Sequence, residues 1–256
     1  MMSILSFFSL AGQAALVTGA GAGIGRAIAQ VLAQAGASVA CTDLDQERAE
    51  RVAEECRAAG VPAIGAKCDV TAEEDRIRVV SQAVSMFGKL NILVNNAGGG
   101  GPKPFDMPLS DFEWAYQLNV YSVFRMCQLA APHLQAAGGG AIVNISSMAG
   151  QNKNSRMCSY GSSKAAVDHL TRNMAFDLGP LKIRVNAIAP GAIRTAALAS
   201  VLTPEIEQAM LKHTPLGRLG EPADIAAAAL YLVSPASAWV SGQVLTVSGG
   251  GIQELD

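Results

Sequence analysis

Tyr160 and Lys164 stand four residues apart in Tyr160-Gly161-Ser162-Ser163-Lys164. On a helix that spacing puts a phenol and an ammonium on one face, one turn from each other. A positive charge stabilises a phenolate. The spacing therefore predicts a tyrosine whose pKa falls from about 10 toward the working pH, where it can exchange a proton with an alcohol or a carbonyl. Ser147 lies thirteen residues upstream of Tyr160, just past an apolar run at 141–145 that reads as a buried strand. A hydroxyl at that strand end can donate to the same carbonyl oxygen. A half-buried ring beside a solvated amine has the same spacing, so the chemistry depends on what the other elements supply.

The first of those elements is a strand at 14–17 that runs into Thr18-Gly19-Ala20-Gly21-Ala22-Gly23-Ile24-Gly25 and then a helix over 26–35. Gly19, Gly23 and Gly25, with Ile24 between the last two, let the backbone approach a pyrophosphate whose charge meets the helix N-terminus. A second strand, 38–42, ends at Asp43, where a carboxylate can accept both hydrogens of an adenosine ribose diol and repel a 2′-phosphate. Its neighbours Ala20, Ala22 and Leu44 are neutral, which predicts NAD rather than NADP. Asp43 also suits the N-cap of the next helix, and the two roles can coexist.

A surface helix is expected over 45–59 and a third strand over 61–66, running on to Asp69, which can bond an adenine amino group with Val70 beside it. The helix predicted over 71–87 carries Thr71 and Glu74 at capping-box spacing. A strand at 90–94 stops at Asn95-Asn96-Ala97-Gly98, small and amide residues suited to the ligand crevice of an α/β sheet. The glycine- and proline-rich stretch 98–104 reads as a loop at a substrate entrance. One long helix is expected over 110–134. Asn119 near its middle either points to solvent or frees a carbonyl for a water.

Beyond Tyr160 the helix runs to Gly179-Pro180, and a strand at 183–188 leads to Pro190-Gly191, whose main chain can reach a nicotinamide amide. Ile193 follows, and Thr195 can bond the pyrophosphate side. Residues 196–213 suit a mobile lid. A helix over 221–233 and a strand over 244–247 complete the chain. Strands alternating with helices imply an α/β fold: a single doubly wound Rossmann-type domain with a parallel seven-stranded sheet and helices on both faces. We expect one domain over 1–256, its dinucleotide-binding part at about 14–150 and its substrate loops at about 98–108, 148–156 and 191–215.

Composition narrows the partners. A chain of 256 residues can bury about three quarters of its unfolded surface. Half of it is hydrophobic and only 16% charged, which excludes intrinsic disorder. A net charge of −2 without any basic run argues against nucleic acid and anionic membrane. Cys41, Cys56, Cys68, Cys127 and Cys158 form no Cys-x-x-Cys pair, which fits a reducing cytoplasm. His133, His169 and His213 lack metal-ligand spacing, so no metal is expected. The apolar stretch at 4–10 imitates a signal-peptide core, but no basic residue precedes Arg26 and the run is too short to span a bilayer. A soluble, uncleaved cytoplasmic protein is expected.

Taken in order, Thr18-Gly19-x3-Gly23-x-Gly25, Asn95-Asn96-Ala97-Gly98, Ser147, Tyr160-x3-Lys164 and Pro190-Gly191 resemble the short-chain dehydrogenase/reductase family over roughly 10–256. The resemblance implies Tyr160 as acid/base, Ser147 orienting the substrate oxygen, and Lys164 binding the nicotinamide ribose while lowering the tyrosine pKa. It implies that Asn119 holds a water linking Lys164 to solvent, and that the enzyme is a homotetramer. Ser146 is the rival serine, but the thirteen-residue gap matches the family for Ser147. Within the family, the stretches 98–108, 152–154, 172–179, 203–208 and 249–255 resemble the bacterial hydroxysteroid dehydrogenases. That likeness implies a bile acid or other steroid as substrate, oxidised at its 7α-hydroxyl, with Gly99 and Asn152 touching it. Gln13 departs from the lysine common before the first strand, away from the chemistry. A 3-oxoacyl-carrier reductase or small-alcohol dehydrogenase is the rival enzyme, and a dinucleotide-binding module without catalysis the rival of another class. Asp43 disfavours an NADPH-dependent reductase.

Overall fold

The structure is a computed structural model that describes residues 4–153 and 155–251. Asn154 and the acidic tail at 252–256, each part of a resemblance noted above, lie outside the described residues. Seven strands alternate with helices in the expected order: β1 (Ala14–Thr18), β2 (Ser38–Asp43), β3 (Ala63–Lys67), β4 (Ile92–Asn95), β5 (Gly140–Ile145), β6 (Ile183–Pro190) and β7 (Val244–Val247). All pairings are parallel, in the order β3-β2-β1-β4-β5-β6-β7. The chain leaves β1 toward β2 on one side and later returns to pair β4 on its other side. The strand direction of winding therefore reverses between β1 and β4, and the carboxyl ends there open a crevice.

Burial on both faces explains the near-continuous apolar strands. In β1, Ala15 and Val17 enter one core layer while Leu16 enters the other, as a period of two requires. The first layer is closed by α1 (Gly23–Gln34), α2 (Gln46–Arg57) and α9 (Pro222–Val233) through Ile28, Leu32, Val52, Cys56 and Ile225. The second is closed by α3 (Glu73–Phe87), α5 (Ser122–Ala136) and α6 (Cys158–Leu178) through Val79, Val80, Met126, Leu134 and Met174. The fold is thus the doubly wound domain expected.

Several local expectations are corrected. The first helix begins at Gly23, three residues earlier than expected, which brings its amino end into the glycine loop. The Thr71–Glu74 capping box does not form. The N-cap of α3 is Ala72, without a side-chain cap, and the Thr71 hydroxyl instead donates to Asp69 at 2.6 Å. The helix expected over 110–134 is two α-helices, α4 (Leu109–Tyr116) and α5, joined by a π-helical turn at Gln117–Tyr121. That wider turn moves Asn119 off the solvent face and buries it completely. The lid region contains α7 (Ala196–Ala199) and α8 (Pro204–Lys212), capped by the Thr195 and Thr203 hydroxyls.

Candidate active site

The glycine loop is held by an amide clamp. Asn96, at the end of β4, donates from Nδ2 to the carbonyls of Thr18 (3.0 Å) and Gly19 (2.9 Å). The buried Thr18 hydroxyl accepts from the amides of Asn96 and Ala97, both at 3.0 Å. Gly19 takes a φ of +62°, and a Cβ there would lie 2.9 Å from the Ala97 Cα. A Cβ on Gly25 would run into the Gly19 carbonyl oxygen. Bare backbone is therefore required where an anion would approach the amino end of α1, so these residues fit a dinucleotide pyrophosphate.

Asp43 closes the outer end of this cradle. Its Oδ2 accepts from the Gly21 amide at 2.9 Å and its Oδ1 from the Asp45 amide at 3.1 Å. Asp45, not Asp43, caps α2, accepting from the amides of Glu47 and Arg48. The alternative role for Asp43 is thereby removed, and its carboxylate faces the loop where a ribose diol would lie. Ala20, Ala22 and Leu44 are neutral, but a base not weighed with them stands close: the Arg48 Cβ lies against Gly21 beside Asp43, with its guanidinium held by Asp45 at 3.1 Å. Farther along the strand ends, the segment bearing Asp69 and Val70 is pinned by α3. Asp75 accepts from the Asp69 amide at 2.8 Å, and buried Arg76 donates to the Val70 carbonyl at 2.6 Å.

A cleft of about 520 Å³ opens at the carboxyl ends of β4, β5 and β6. It brings Gly23, Ile24, Asn96, Gly98, Ser147, Tyr160, Lys164, Pro190, Gly191, Ile193 and Thr195 together. Asp43, Asp69 and Val70 lie outside it, Asp43 at the end of β2 and Asp69 and Val70 just past the end of β3. Gly19, Gly25 and Ala97 back the loop from within. Asn152 is not part of the cleft wall. Ala197, Leu198 and Met210 line it from the lid side and were not singled out beforehand; the apolar, helix-forming composition of 196–213 was their only signal.

Lys164 lies one helical turn beyond Tyr160, its Nζ 5.8 Å from the ring centroid, and donates to the Ile145 carbonyl at 2.9 Å. Asn119 reaches the same point: Oδ1 accepts from the Gly99 amide at 3.0 Å, and Nδ2 donates to the Gly99 carbonyl at 2.9 Å and the Ser163 hydroxyl at 3.1 Å. A Cβ on Gly98 would lie 2.8 Å from Asn119 Oδ1 and 3.1 Å from Lys164 Nζ. Ser147 begins the short turn Met148–Gly150 and accepts from the Ala149 amide at 3.1 Å. Its rival is spoken for, because the Ser146 hydroxyl donates to the Lys164 carbonyl at 3.1 Å.

The electrostatics correct one expectation. In this structure the Tyr160 phenol is not drawn down by Lys164. Burial of its hydroxyl end pushes it above its ordinary value, and a hydrogen bond with Ser147 is what favours the phenolate. Lys164 is itself pushed down to about 8 by burial, with Asp168 opposing the shift. Helical spacing revealed the pairing but not how dry the pair would be.

A family profile described as enoyl-(acyl carrier protein) reductase matches residues 19–251. The chain belongs to the short-chain dehydrogenase/reductase family. A 7α-hydroxysteroid dehydrogenase from Escherichia coli strain K12 is 60% identical over 247 residues, which are 96% of this chain and 97% of that protein. A solved 7α-hydroxysteroid dehydrogenase complexed with NADH and 7-oxo glycochenodeoxycholic acid superposes with a TM-score of 0.97 at 58% identity, covering all of both chains. A crystal structure of a hydroxysteroid dehydrogenase from Escherichia coli gives a TM-score of 0.88 at 57% identity, covering 96% of this chain and 99% of the other.

Proposed function

We propose that this chain is an NAD-dependent dehydrogenase that oxidises the 7α-hydroxyl of bile acids such as cholate and chenodeoxycholate to a 7-oxo group, reversibly. The observation that carries the reading is the 60% identity to a 7α-hydroxysteroid dehydrogenase across nearly the full length of both chains. The solved relative that binds NADH and a 7-oxo bile acid supports it from the structural side.

When bound, NAD supplies the hydride acceptor. The glycine loop from Gly19 to Gly25 would hold its pyrophosphate, Asp43 its adenosine ribose, and Asp69 and Val70 its adenine. The backbone after Pro190 and Gly191, with Ile193 and Thr195, would hold the nicotinamide half. Tyr160, as phenolate, takes the proton of the substrate hydroxyl. Ser147 donates to the developing carbonyl oxygen and stabilises the phenolate before that step. Lys164 holds the nicotinamide ribose as a cation, and Asn119 fixes the 98–99 backbone against it. Much of the rate then comes from holding the reacting atoms at near-attack distance. The apolar lid residues Leu198 and Met210 suit a rigid sterol; Gly99 and Asn152, expected as further contacts, lie outside the cleft wall.

The test is a screen for NADH formation across sterols that differ in the position and epimer of one hydroxyl. Turnover of 7α-hydroxy bile acids with rejection of 7β and 3α isomers supports the reading. Inertness toward every 7α-hydroxy bile acid refutes it, and activity on a 3-oxoacyl thioester would favour the rival reductase.

We further propose a homotetramer. Trp114, Tyr121, Phe124 and Phe176 stand exposed on α4, the π turn, α5 and α6, a set of large apolar side chains suited to pairing between copies. Sedimentation equilibrium should return four chain masses. The described cysteines are all free thiols, which supports a cytoplasmic location. No helix among the described residues is long and apolar enough to cross a membrane.

A further inference from the structure

On the face of α6 that carries Tyr160 and Lys164, one turn past Lys164, stands a second ionisable side chain that the reaction as described does not use. Lys164 and Asp168 are 4% and 5% exposed, respectively, and four residues apart on the same helix. Side chains at that spacing share a face. The Asp168 Oδ2 accepts from Gln151 Nε2 at 3.4 Å, and Gln151 Oε1 accepts in turn from the Thr246 hydroxyl of β7 at 3.0 Å. Its Oδ1 is buried without a hydrogen-bond partner among the described residues.

A buried carboxylate oxygen with no donor is costly unless a nearby cation offsets it. The charged groups bearing on this pair all lie on α6: Lys164, Asp168 and, one turn further, Arg172. The elements packed around them contribute neutral polar groups. Ser146 and the Ile145 carbonyl come from the end of β5, Gln151 from the following turn, and Asn119 from the π turn. Lys164 is therefore a cation in a dry interior whose Nζ bonds the Ile145 carbonyl rather than pairing directly with Asp168, and Asp168, one turn along, is the anion among the described residues that acts on it through space.

We propose that Asp168 is a positioning residue for dehydrogenation, supplying the counter-charge that keeps Lys164 an ammonium and anchoring that charge, through Gln151, to the turn that carries Ser147. Burial drives the Lys164 ammonium down to about 8, and the Asp168 carboxylate is the influence that opposes it. Burial raises the Asp168 carboxyl, while Gln151, Arg172 and Lys164 favour its charged form. Removing the carboxylate charge lets burial act on Lys164 unopposed, so its proton leaves at lower pH. The proposal rests on the reading of Lys164 as the cation that holds the nicotinamide ribose.

The test compares native enzyme with Asp168→Asn, Asp168→Glu and Lys164→Met, measuring kcat for cholate oxidation from about pH 6 to about pH 10 at saturating NAD. Asp168→Asn is expected to match the native rate at the acid end. Its alkaline decline should move to lower pH by on the order of one unit, which is about tenfold in rate on that limb. Asp168→Glu keeps the charge and should restore the native profile. A profile for Asp168→Asn that superimposes on the native one, or that falls by one constant factor at every pH, overturns the proposal. If Asp168→Asn does not fold, Asp168→Ser is read by the same criterion. Lys164→Met separates the two readings. If it is inactive throughout while Asp168→Asn is unmoved, only the role of Asp168 is lost; if it turns over at the native rate, the role of Lys164 is lost as well.

Discussion

Ser147→Ala tests whether the serine tunes the tyrosine or only holds the substrate. In this structure burial raises the Tyr160 pKa and the Ser147 hydrogen bond lowers it. A hydrogen bond to a charged group contributes about 1.5–3 kcal/mol, and each pKa unit corresponds to about 1.4 kcal/mol. Removing the hydroxyl should therefore raise the Tyr160 pKa further, by the part of that free energy that favours the phenolate. Oxidation needs the phenolate, so the sign is determined: the rate is lost as pH falls through the tyrosine pKa, and a raised pKa moves that loss to higher pH. On the acid limb kcat should drop by an additional factor of up to about 100, beyond whatever deficit persists on the alkaline plateau from the missing bond to substrate. The assay is a pH–rate profile of NADH formation with saturating cholate. Ser147 also accepts from the Ala149 amide, so the substitution removes a local cap worth about 1 kcal/mol. Thermal melting would register that loss separately, and Ser147→Thr should recover both functions. A uniform fall in kcat with an unmoved acid limb would refute the tuning role and leave Ser147 as a substrate contact alone.

Asp43→Ala should weaken NAD binding by about 10- to 100-fold, the value of one charge-assisted hydrogen bond. NADP should gain on NAD because the carboxylate that repels a 2′-phosphate is gone while Arg48, held by Asp45, stays beside the site; an unchanged ratio of the two kcat/KM values would remove the ribose assignment. Gly25→Ala places a methyl group against the Gly19 carbonyl and should cost about 1–3 kcal/mol of stability along with the cofactor site. A variant that melts normally and binds NAD normally would contradict the cradle geometry.

The sheet was legible because burial on both faces leaves runs of apolar residues that end at glycines and amides, and those strand ends pointed to the polar and glycine residues of the cleft but not to its apolar lid-side wall. What could not be read depends on residues distant in sequence. The Thr18 hydroxyl reads as an ordinary β-branched strand residue, and its two amide donors exist only because β4 lies beside β1. Arg76 has the pattern of a surface helix position, yet it is buried under the segment bearing Asp69 and Val70, where its guanidinium meets the Val70 carbonyl. Asn119 is buried by a π turn, an extra residue that hydrophobic periodicity does not mark. The Tyr160–Lys164 spacing was visible, but the direction of the tyrosine shift depends on how deeply the pair is enclosed, and burial outweighs the Ser147 hydrogen bond here.

Tyr160→Phe bears most directly on the claim that this phenol carries the proton of the substrate hydroxyl. NAD affinity, followed by quenching of intrinsic fluorescence, and NADH formation from a 7α-hydroxy bile acid are measured on the same preparation. Unaltered NAD binding with turnover reduced by at least about a thousandfold, the upper part of the range for general acid–base catalysis, is the predicted result. Turnover near the native rate would contradict it.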